Sequence, residues 1–155
     1  MSDALTEAQA AVAPEGYVME PWQRGFGRTI GPLYIRQDPD GGYTTGFRVE
    51  AHHANGLNNC HGGMLASIAD MAWGRMISNI YGMGWVTVRM TTDFLSGAQM
   101  GDWVEGTSEL LNEQDGLFTV RGRIWCDDRT LMTGTAVYKG LREIVRRPGD
   151  REARA

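Results

Sequence analysis

The order of the patterns along the chain predicts an α+β domain, in which an antiparallel sheet of about six strands wraps around one long central helix. Residues 61–80 form the one long helical candidate, with two predicted strands before it and four after it. A single helix cannot cover both faces of a six-stranded sheet, so we expect the sheet to curl around the helix. The apolar surface that remains predicts association with a second copy of the chain.

The N-terminal part of the chain is assigned from local signals. Residues 2–12 are rich in alanine and predict a short helix that ends before Pro14. Residues 29–36 are predicted to form one strand, residues 38–42 a tight turn, and residues 43–50 the hairpin partner of that strand. The chain then divides into an N-terminal extension (1–26), a folded domain (27–140) and a charged C-terminal tail (141–155).

The long helix is predicted from apolar residues that recur at spacings of three and four. They are Leu65, Ile68, Ala69, Ala72, Met76 and Ile80. Gly82 suits the end of this helix. Residues 85–95, 103–111, 117–126 and 131–139 follow as strands, and the short turns between the last three favour antiparallel neighbours.

Alternation along residues 85–95 predicts two faces for the first of these four strands. One face carries Val86, Val88, Met90 and Phe94. The other carries Thr87, Arg89, Thr91 and Asp93.

Composition limits the classes of protein that the chain can represent. Its 155 residues suit one domain, and a net charge of −4 offers no electrostatic footprint for nucleic acid. No apolar run approaches the roughly 18 residues that span a bilayer, and the N-terminus is too acidic for a signal peptide. Cys60 and Cys126 give no disulfide framework. We therefore expect a cytoplasmic protein that binds neither nucleic acid nor membrane.

The start of the long helix is a candidate chemical site, because Gly62 and Gly63 occupy its first turn. Each glycine costs roughly 1 kcal/mol relative to alanine in a helix. The first amides of a helix have no partner within it and lie at the positive end of its dipole, so bare glycine amides can donate to a carbonyl oxygen that gains negative charge. One such donor is worth about 2.7–4 kcal/mol in acyl transfer. Alternatively, the glycines only permit close packing against a strand.

Asp70 is a second candidate, because it lies in the middle of the helix among apolar residues. A buried carboxylate is costly unless it is paired, hydrogen-bonded or used in chemistry. Asp70 shares a helical stripe with Gly63, Ser67 and Gly74, whose small side chains leave room for a ligand. Alternatively, Asp70 is an ordinary buried residue bonded to a neighbouring hydroxyl or to Arg75.

Helical geometry separates the two candidates. Asp70 follows His61 by nine residues and Gly62 by eight, which is roughly 12–14 Å along the axis. Nine residues also place Asp70 on the opposite side of the helix from His61. If Gly62 and Asp70 act on one carbonyl carbon, two copies of the helix must contribute to each site.

Two further polar residues are candidates for positioning. Asn55 can orient a water or a carbonyl without a charge, although Asn58 and Asn59 lie beside it as competitors. The hydroxyl of Thr87 can hold a water, although threonine is common in strands.

The pattern Asn55-x5-His61-Gly62-Gly63-x6-Asp70, followed by Val86-Thr87-Val88 and by Phe94-Leu95-Ser96-Gly97-Ala98-x2-Gly101-Asp102, resembles the PaaI-type hotdog-fold acyl-CoA thioesterases. The resemblance extends over about residues 27–140. It implies the hotdog fold and hydrolysis of an acyl-CoA to a free acid and coenzyme A. It also implies a homodimer, which in many members pairs into a homotetramer, with each site shared between subunits. No metal or other cofactor is expected.

The resemblance also implies roles for individual residues. Asp70 is the nucleophile or general base, and the amide of Gly62 polarises the thioester carbonyl. Asn55 and Thr87 position the reacting groups, and His61 orients the loop or contacts the carbonyl. Gly63 and Ser67 on the Asp70 stripe, together with the bulky Trp73, are expected to contact the substrate.

Four alternatives remain open at this stage. His52, His53, His61 and Asp70 have metal-ligand chemistry, but no histidine pair has the i, i+4 spacing of a zinc hydrolase. A Cys60–His61 dyad is disfavoured because adjacent side chains rarely face each other. A hotdog protein that binds an acyl or aromatic ligand without turnover is a third possibility. The dehydratase branch of the fold is the fourth, although its acid–base motif is not evident.

Overall fold

The computed structural model describes residues 13–141, which form one antiparallel sheet around one long helix. The strands are β1 (Val18–Met19), β2 (Tyr34–Gln37), β3 (Tyr43–Arg48), β4 (Gly84–Phe94), β5 (Trp103–Gln114), β6 (Leu117–Cys126) and β7 (Arg129–Leu141). The helices are α1 (Phe26–Ile30) and α2 (Gly62–Tyr81), with a 3₁₀ turn at Ala51–His53. The strand order is β1-β2-β3-β5-β6-β7-β4. The α+β prediction is confirmed, with seven strands in this part of the chain rather than about six.

One of the N-terminal predictions was wrong, and one strand was not predicted. Residues 29–36 do not form one strand, because α1 occupies Phe26–Ile30 and only Tyr34–Gln37 is extended in the sheet. Pro32 separates the two, as expected of a residue that cannot continue a helix. The two-residue strand β1, which pairs with β2, is too short to show any periodicity. The predicted helix at residues 2–12 and the tail from residue 142 lie outside the described residues.

Helix α2 is confirmed, and its apolar face fills the concave side of the sheet. Trp73 is fully buried at the centre of the contact. Its indole ring lies so close to Gly122 of β6 and Gly134 of β7 that a Cβ at either position would come within 3.0 Å of it. Glycines in these strands therefore admit the ring between helix and sheet. Gly82 ends α2 with a φ of 65°, as predicted for its C-terminal cap.

Strand β4 contains a bulge that changes which side chains face α2. The pairing with β7 shifts between Thr87 and Arg89, so Val88 is the extra residue. Thr87 before the bulge and Phe94 after it both contact the helix. The prediction that they lie on opposite faces was wrong, because strict alternation does not continue through a bulge.

The residues just before α1 are tied to the sheet and to α2. The Tyr17 hydroxyl donates to the Glu105 carboxylate on β5. The Glu20 carboxylate forms a largely buried ion pair with Arg75 of α2. Within residues 13–141, no helix is both long enough and apolar enough to cross a membrane.

Candidate active site

The start of α2 is shaped by His61, whose side chain caps the helix. Its Nδ1 accepts a hydrogen bond from the Gly63 amide at 2.8 Å. The Gly63 N–H is therefore occupied, whereas the Gly62 N–H has no hydrogen-bond partner among residues 13–141. Of the two glycine amides that were expected to face a substrate, only that of Gly62 remains available. With Nδ1 acting as acceptor, a neutral His61 carries its proton on Nε2.

A side chain at either glycine would also meet a close neighbour. A Cβ at Gly62 would lie 3.3 Å from the Phe94 ring of β4. A Cβ at Gly63 would lie 3.0 Å from Nδ1 of His61. Close packing against a strand thus explains part of the motif. It leaves the free Gly62 amide at the positive end of a 20-residue helix.

Asp70 is half-buried, and a hydroxyl from β4 holds its carboxylate. Thr87 Oγ1 donates to Asp70 Oδ1 at 2.5 Å. The guanidinium of Arg75, the other partner considered, bonds instead to Glu20 and, at 3.2 Å, to the hydroxyl of Thr45. Among the described residues, Asp70 forms no ion pair. A neutral donor therefore orients the carboxylate, and no described cation is paired with it.

The stripe of small residues beside Asp70 is open toward the helix start and closed at the other end. Ser67 Oγ donates to the carbonyl of Gly63 at 2.8 Å, which leaves its lone pairs free to accept. Gly74 is covered by Trp85, whose ring lies 2.5 Å from the position of an added Cβ. Space for a ligand therefore lies between Gly63 and Asp70.

Two of the predicted site residues have structural contacts in the core or in a loop. Trp73 is fully buried in the core, so we give it no part in a substrate site. Asn55 Oδ1 accepts from the amides of Leu57 at 2.9 Å and Asn59 at 3.2 Å. Its carbonyl oxygen therefore braces the loop before α2, and only its side-chain amino group is left for another partner.

The three histidines do not gather around a metal. Nε2 of His53 bonds the carbonyl of Ile30 at 2.7 Å, while its Nδ1 accepts from the Glu50 amide at 3.0 Å. His52 bonds the carbonyl of Gly31 at 2.9 Å. No cluster of three or more potential ligand residues occurs in the described part of the chain. The rings of His52 and His53 bond to the backbone at the end of α1. The amide of His61 in turn donates to the carbonyl of His53 at 2.8 Å.

The thiol of Cys60 is unsuited to a nucleophilic role. Burial raises its pKa to about 12, so almost none is thiolate at neutral pH. Its sulfur lies 3.8 Å from the backbone oxygen of His61. This contact is with the main chain, so it gives no support to a Cys60–His61 dyad.

A cleft of about 470 Å³ separates α1 from the first turns of α2. Phe26 and Thr29 line it on the α1 side, and Met64 and Ser67 line it on the α2 side. Phe26 and Thr29 were not predicted to line a site, because one was assigned to an extension and the other to a strand. A cleft of this size suits a small organic group.

Gly62 and Asp70 lie far apart within the chain. Gly62 and Asp70 are eight residues apart in α2, which is about 12 Å along the helix axis. Gly62 is packed against the end of β4 at Phe94, while Asp70 is held near its beginning at Thr87. Gly62 and Asp70 are therefore as far apart in the structure as their spacing in the helix predicted.

A family model described as the thioesterase superfamily matches residues 57–133, which include both Gly62 and Asp70. A Pseudomonas aeruginosa protein that carries the name of an esterase is 26% identical over 111 residues, covering 70% of this chain and 83% of that protein.

Solved structures share the fold. The PaaI protein of E. coli, from the phenylacetic acid degradation operon, aligns with a TM-score of 0.65 and 24% identity, over 74% of this chain and 83% of its own. A Bacillus halodurans protein crystallised with CoA gives a TM-score of 0.64 and 23% identity, over 70% and 74%. The predicted hotdog fold and the resemblance to PaaI are confirmed.

Proposed function

We propose that the chain, which matches the thioesterase superfamily model over residues 57–133, hydrolyses an acyl-CoA thioester to a free acid and coenzyme A. The observation that carries the proposal is that α2 has a free amide at its start and, further along, the Asp70 carboxylate, which a neutral hydroxyl holds and which forms no ion pair with a described residue. Acyl transfer requires these two elements, a donor for the developing oxyanion and a group that attacks or activates water.

The Gly62 amide supplies the first element. The thioester carbonyl oxygen accepts a hydrogen bond from this N–H, and the dipole of α2 stabilises the negative charge that the oxygen gains. Nε2–H of His61 is a second donor on the same end of the helix. The donors belong to a fixed backbone and a capping side chain, so little reorganisation accompanies the reaction.

Asp70 supplies the second element. Its carboxylate either attacks the carbonyl carbon, forming an anhydride that water then hydrolyses, or removes a proton from the attacking water. In both cases the C–S bond breaks, the sulfur leaves with a proton as the CoA thiol, and water provides the oxygen of the acid. The Thr87 hydroxyl fixes one carboxylate oxygen, which directs the other toward the substrate.

The site is proposed to be shared by two subunits of a homodimer, because about 12 Å separates Gly62 from Asp70 in one chain. Strand β4 is an edge of the sheet and pairs only with β7 among the described strands. Its residues Val86 and Val88 are about half exposed. An eleven-residue open edge of this kind favours pairing with a second copy, which places each Asp70 near the partner's helix.

The cleft between α1 and α2 is proposed to receive the acyl group. It adjoins His61 and Gly63 at the helix start, and its apolar walls come from Phe26, Ile30 and Met64. Gly62 lies between His61 and Gly63 in the chain, and the carbonyl of an acyl group in the cleft is proposed to reach its amide.

Thiol release from acyl-CoA esters, followed with a thiol-reactive dye, tests the proposal. Asp70→Asn preserves the size of the side chain and is expected to lower kcat by at least about 1000-fold, because it removes the attacking or proton-accepting group. Asp128→Asn, an exposed aspartate in the β6–β7 turn, is the matched control and is expected to keep full activity. Full activity of Asp70→Asn would contradict the assignment. Saturable binding of acyl-CoA without turnover would favour the non-catalytic alternative.

A further inference from the structure

Tyr138 of β7 makes a contact with Asp70 that the proposed chemistry does not itself require. The tyrosine is fully buried, and its hydroxyl donates to the main-chain carbonyl of Asp70 at 3.0 Å. Thr87, whose hydroxyl bonds the Asp70 carboxylate, is the residue directly opposite Tyr138 in the β4–β7 pairing. Two neighbouring strand residues therefore hold the backbone and the side chain of one helical residue.

The surroundings of this pair fix its geometry. Thr87 and Tyr138 are paired across the two strands and both face the helix. The bulge at Val88 begins just after Thr87, so the alternation of side chains shifts only beyond this pair. The Trp85 ring packs edge-on against Tyr138, with 4.9 Å between centroids, and covers Gly74 one turn beyond Asp70. The carbonyl of Asp70 has a second lone pair for the phenol besides the one used by the helix.

We propose that Tyr138 is a positioning residue for Asp70. Its phenol fixes the backbone of α2 at Asp70 relative to β4, so that the Thr87 hydroxyl meets the carboxylate in a single orientation. Without it, the helix can slide or rotate against the sheet by a fraction of an ångström. A displacement of about 1 Å at a reacting group can cost 100-fold in rate. This inference rests on the proposed function, in which Asp70 acts on the thioester.

Tyr138→Phe tests the inference, because it removes one oxygen and keeps the buried ring. We expect kcat to fall between about 10-fold and 100-fold with KM nearly unchanged, because the variant misplaces a reacting group and leaves the binding surfaces intact. Tyr17→Phe is the matched control. It also removes a phenol that bonds a protein oxygen, that of Glu105, but at a place remote from Asp70. Equal kcat values for the two variants would overturn the inference.

A double-mutant cycle adds a measurement that a purely structural role would not affect. Thr87→Val and Tyr138→Phe are expected to be non-additive in kcat, because both act through the placement of Asp70. Melting temperatures of the same proteins separate this effect from loss of folding, and additive effects on kcat would contradict the inference.

The two proposals can fail separately. An active Asp70→Asn variant would overturn the proposed function. An inactive Asp70→Asn variant alongside a fully active Tyr138→Phe variant would overturn only the positioning role.

Discussion

The two ends of the proposed site are built in different ways. At the start of α2, the reactive group is a main-chain amide, and its surroundings are fixed by backbone contacts through His61 and His53. In the middle of α2, the reactive group is the Asp70 carboxylate. The Thr87 hydroxyl of β4 bonds the carboxylate, and the Tyr138 hydroxyl of β7 bonds the main-chain carbonyl of the same residue. The amide is supplied by the helix itself, while the carboxylate depends on β4 and β7. The first end should therefore respond to changes that remove an N–H, and the second to changes that misplace a side chain.

Gly62→Pro is expected to have the largest effect at the helix start, because it removes the amide hydrogen, although its ring also adds atoms near Phe94. Proline is well tolerated at the first helical position, and the extended backbone of His61 (ψ 136°) is compatible with a following proline. Loss of one oxyanion donor lowers kcat by about 100-fold to 1000-fold. Thiol release under saturating substrate measures this effect.

Gly62→Ala is the control for that change, because it keeps the N–H and adds a methyl group near Phe94. We expect it to retain much more activity than Gly62→Pro. If the two variants lose activity equally, crowding against Phe94 explains the loss and the amide has no special role.

The next effect is recovery of activity when the two ends are supplied by different chains. Asp70→Asn and Gly62→Pro are each expected to be nearly inactive alone, but a heterodimer has one site with both groups intact and one with neither. Random mixing after unfolding and refolding should restore about a quarter of the wild-type activity, since half of the dimers are mixed and each has one working site. No recovery, with heterodimers demonstrated by native mass spectrometry, would contradict a shared site.

The sequence predicted the helix and the separation of Gly62 from Asp70 because both depend on the regular period of a long helix. It did not predict the contacts that come from strands. The bulge at Val88 has no signal in residue type, so Thr87 and Phe94 were assigned to opposite faces. Tyr138 lay in the predicted strand at residues 131–139 with no role assigned to it, although a phenol on a buried face indicates a polar partner there. Helix α1 is five residues long, too short for a periodic pattern.

A smaller effect is expected in the cleft beside the helix start. Phe26 is 62% exposed and lines this cleft, so Phe26→Ala enlarges it without opening the core. We expect kcat/KM to shift toward bulkier acyl groups by about tenfold, the size of effect that small changes in an apolar pocket produce. A panel of short, branched, long and aryl acyl-CoA esters measures the shift. Leu57→Ala is the control, because it removes an exposed apolar side chain that does not line the cleft. We expect its preference among these esters to match that of the wild type.

The smallest expected effect is on stability at mildly acidic pH, and it distinguishes the two ends of the site. Burial lowers the pKa of His53 below its usual 6.5, and the neighbouring His52 ring also opposes protonation. Protonating Nδ1 would displace the Glu50 amide that it accepts.

Below pH 6.5 the unfolded chain therefore binds a proton at this residue that the folded chain does not. The stabilisation is complete above pH 6.5 and is lost as the pH falls through the lower pKa of the folded protein. Urea unfolding between pH 5 and 7.5 should show this decline in the wild type and a smaller one in His53→Asn.

Hydrogen exchange locates the same effect within the fold. Burial raises the pKa of Tyr138, and the proton on its hydroxyl therefore stays in place over this range. On acidification, exchange should accelerate at the amides of Glu50 and His61, which depend on His53, before it does in β4 and β7. Simultaneous acceleration of exchange in all of these segments would mean that the helix start is no more sensitive to pH than the strands β4 and β7 that hold Asp70.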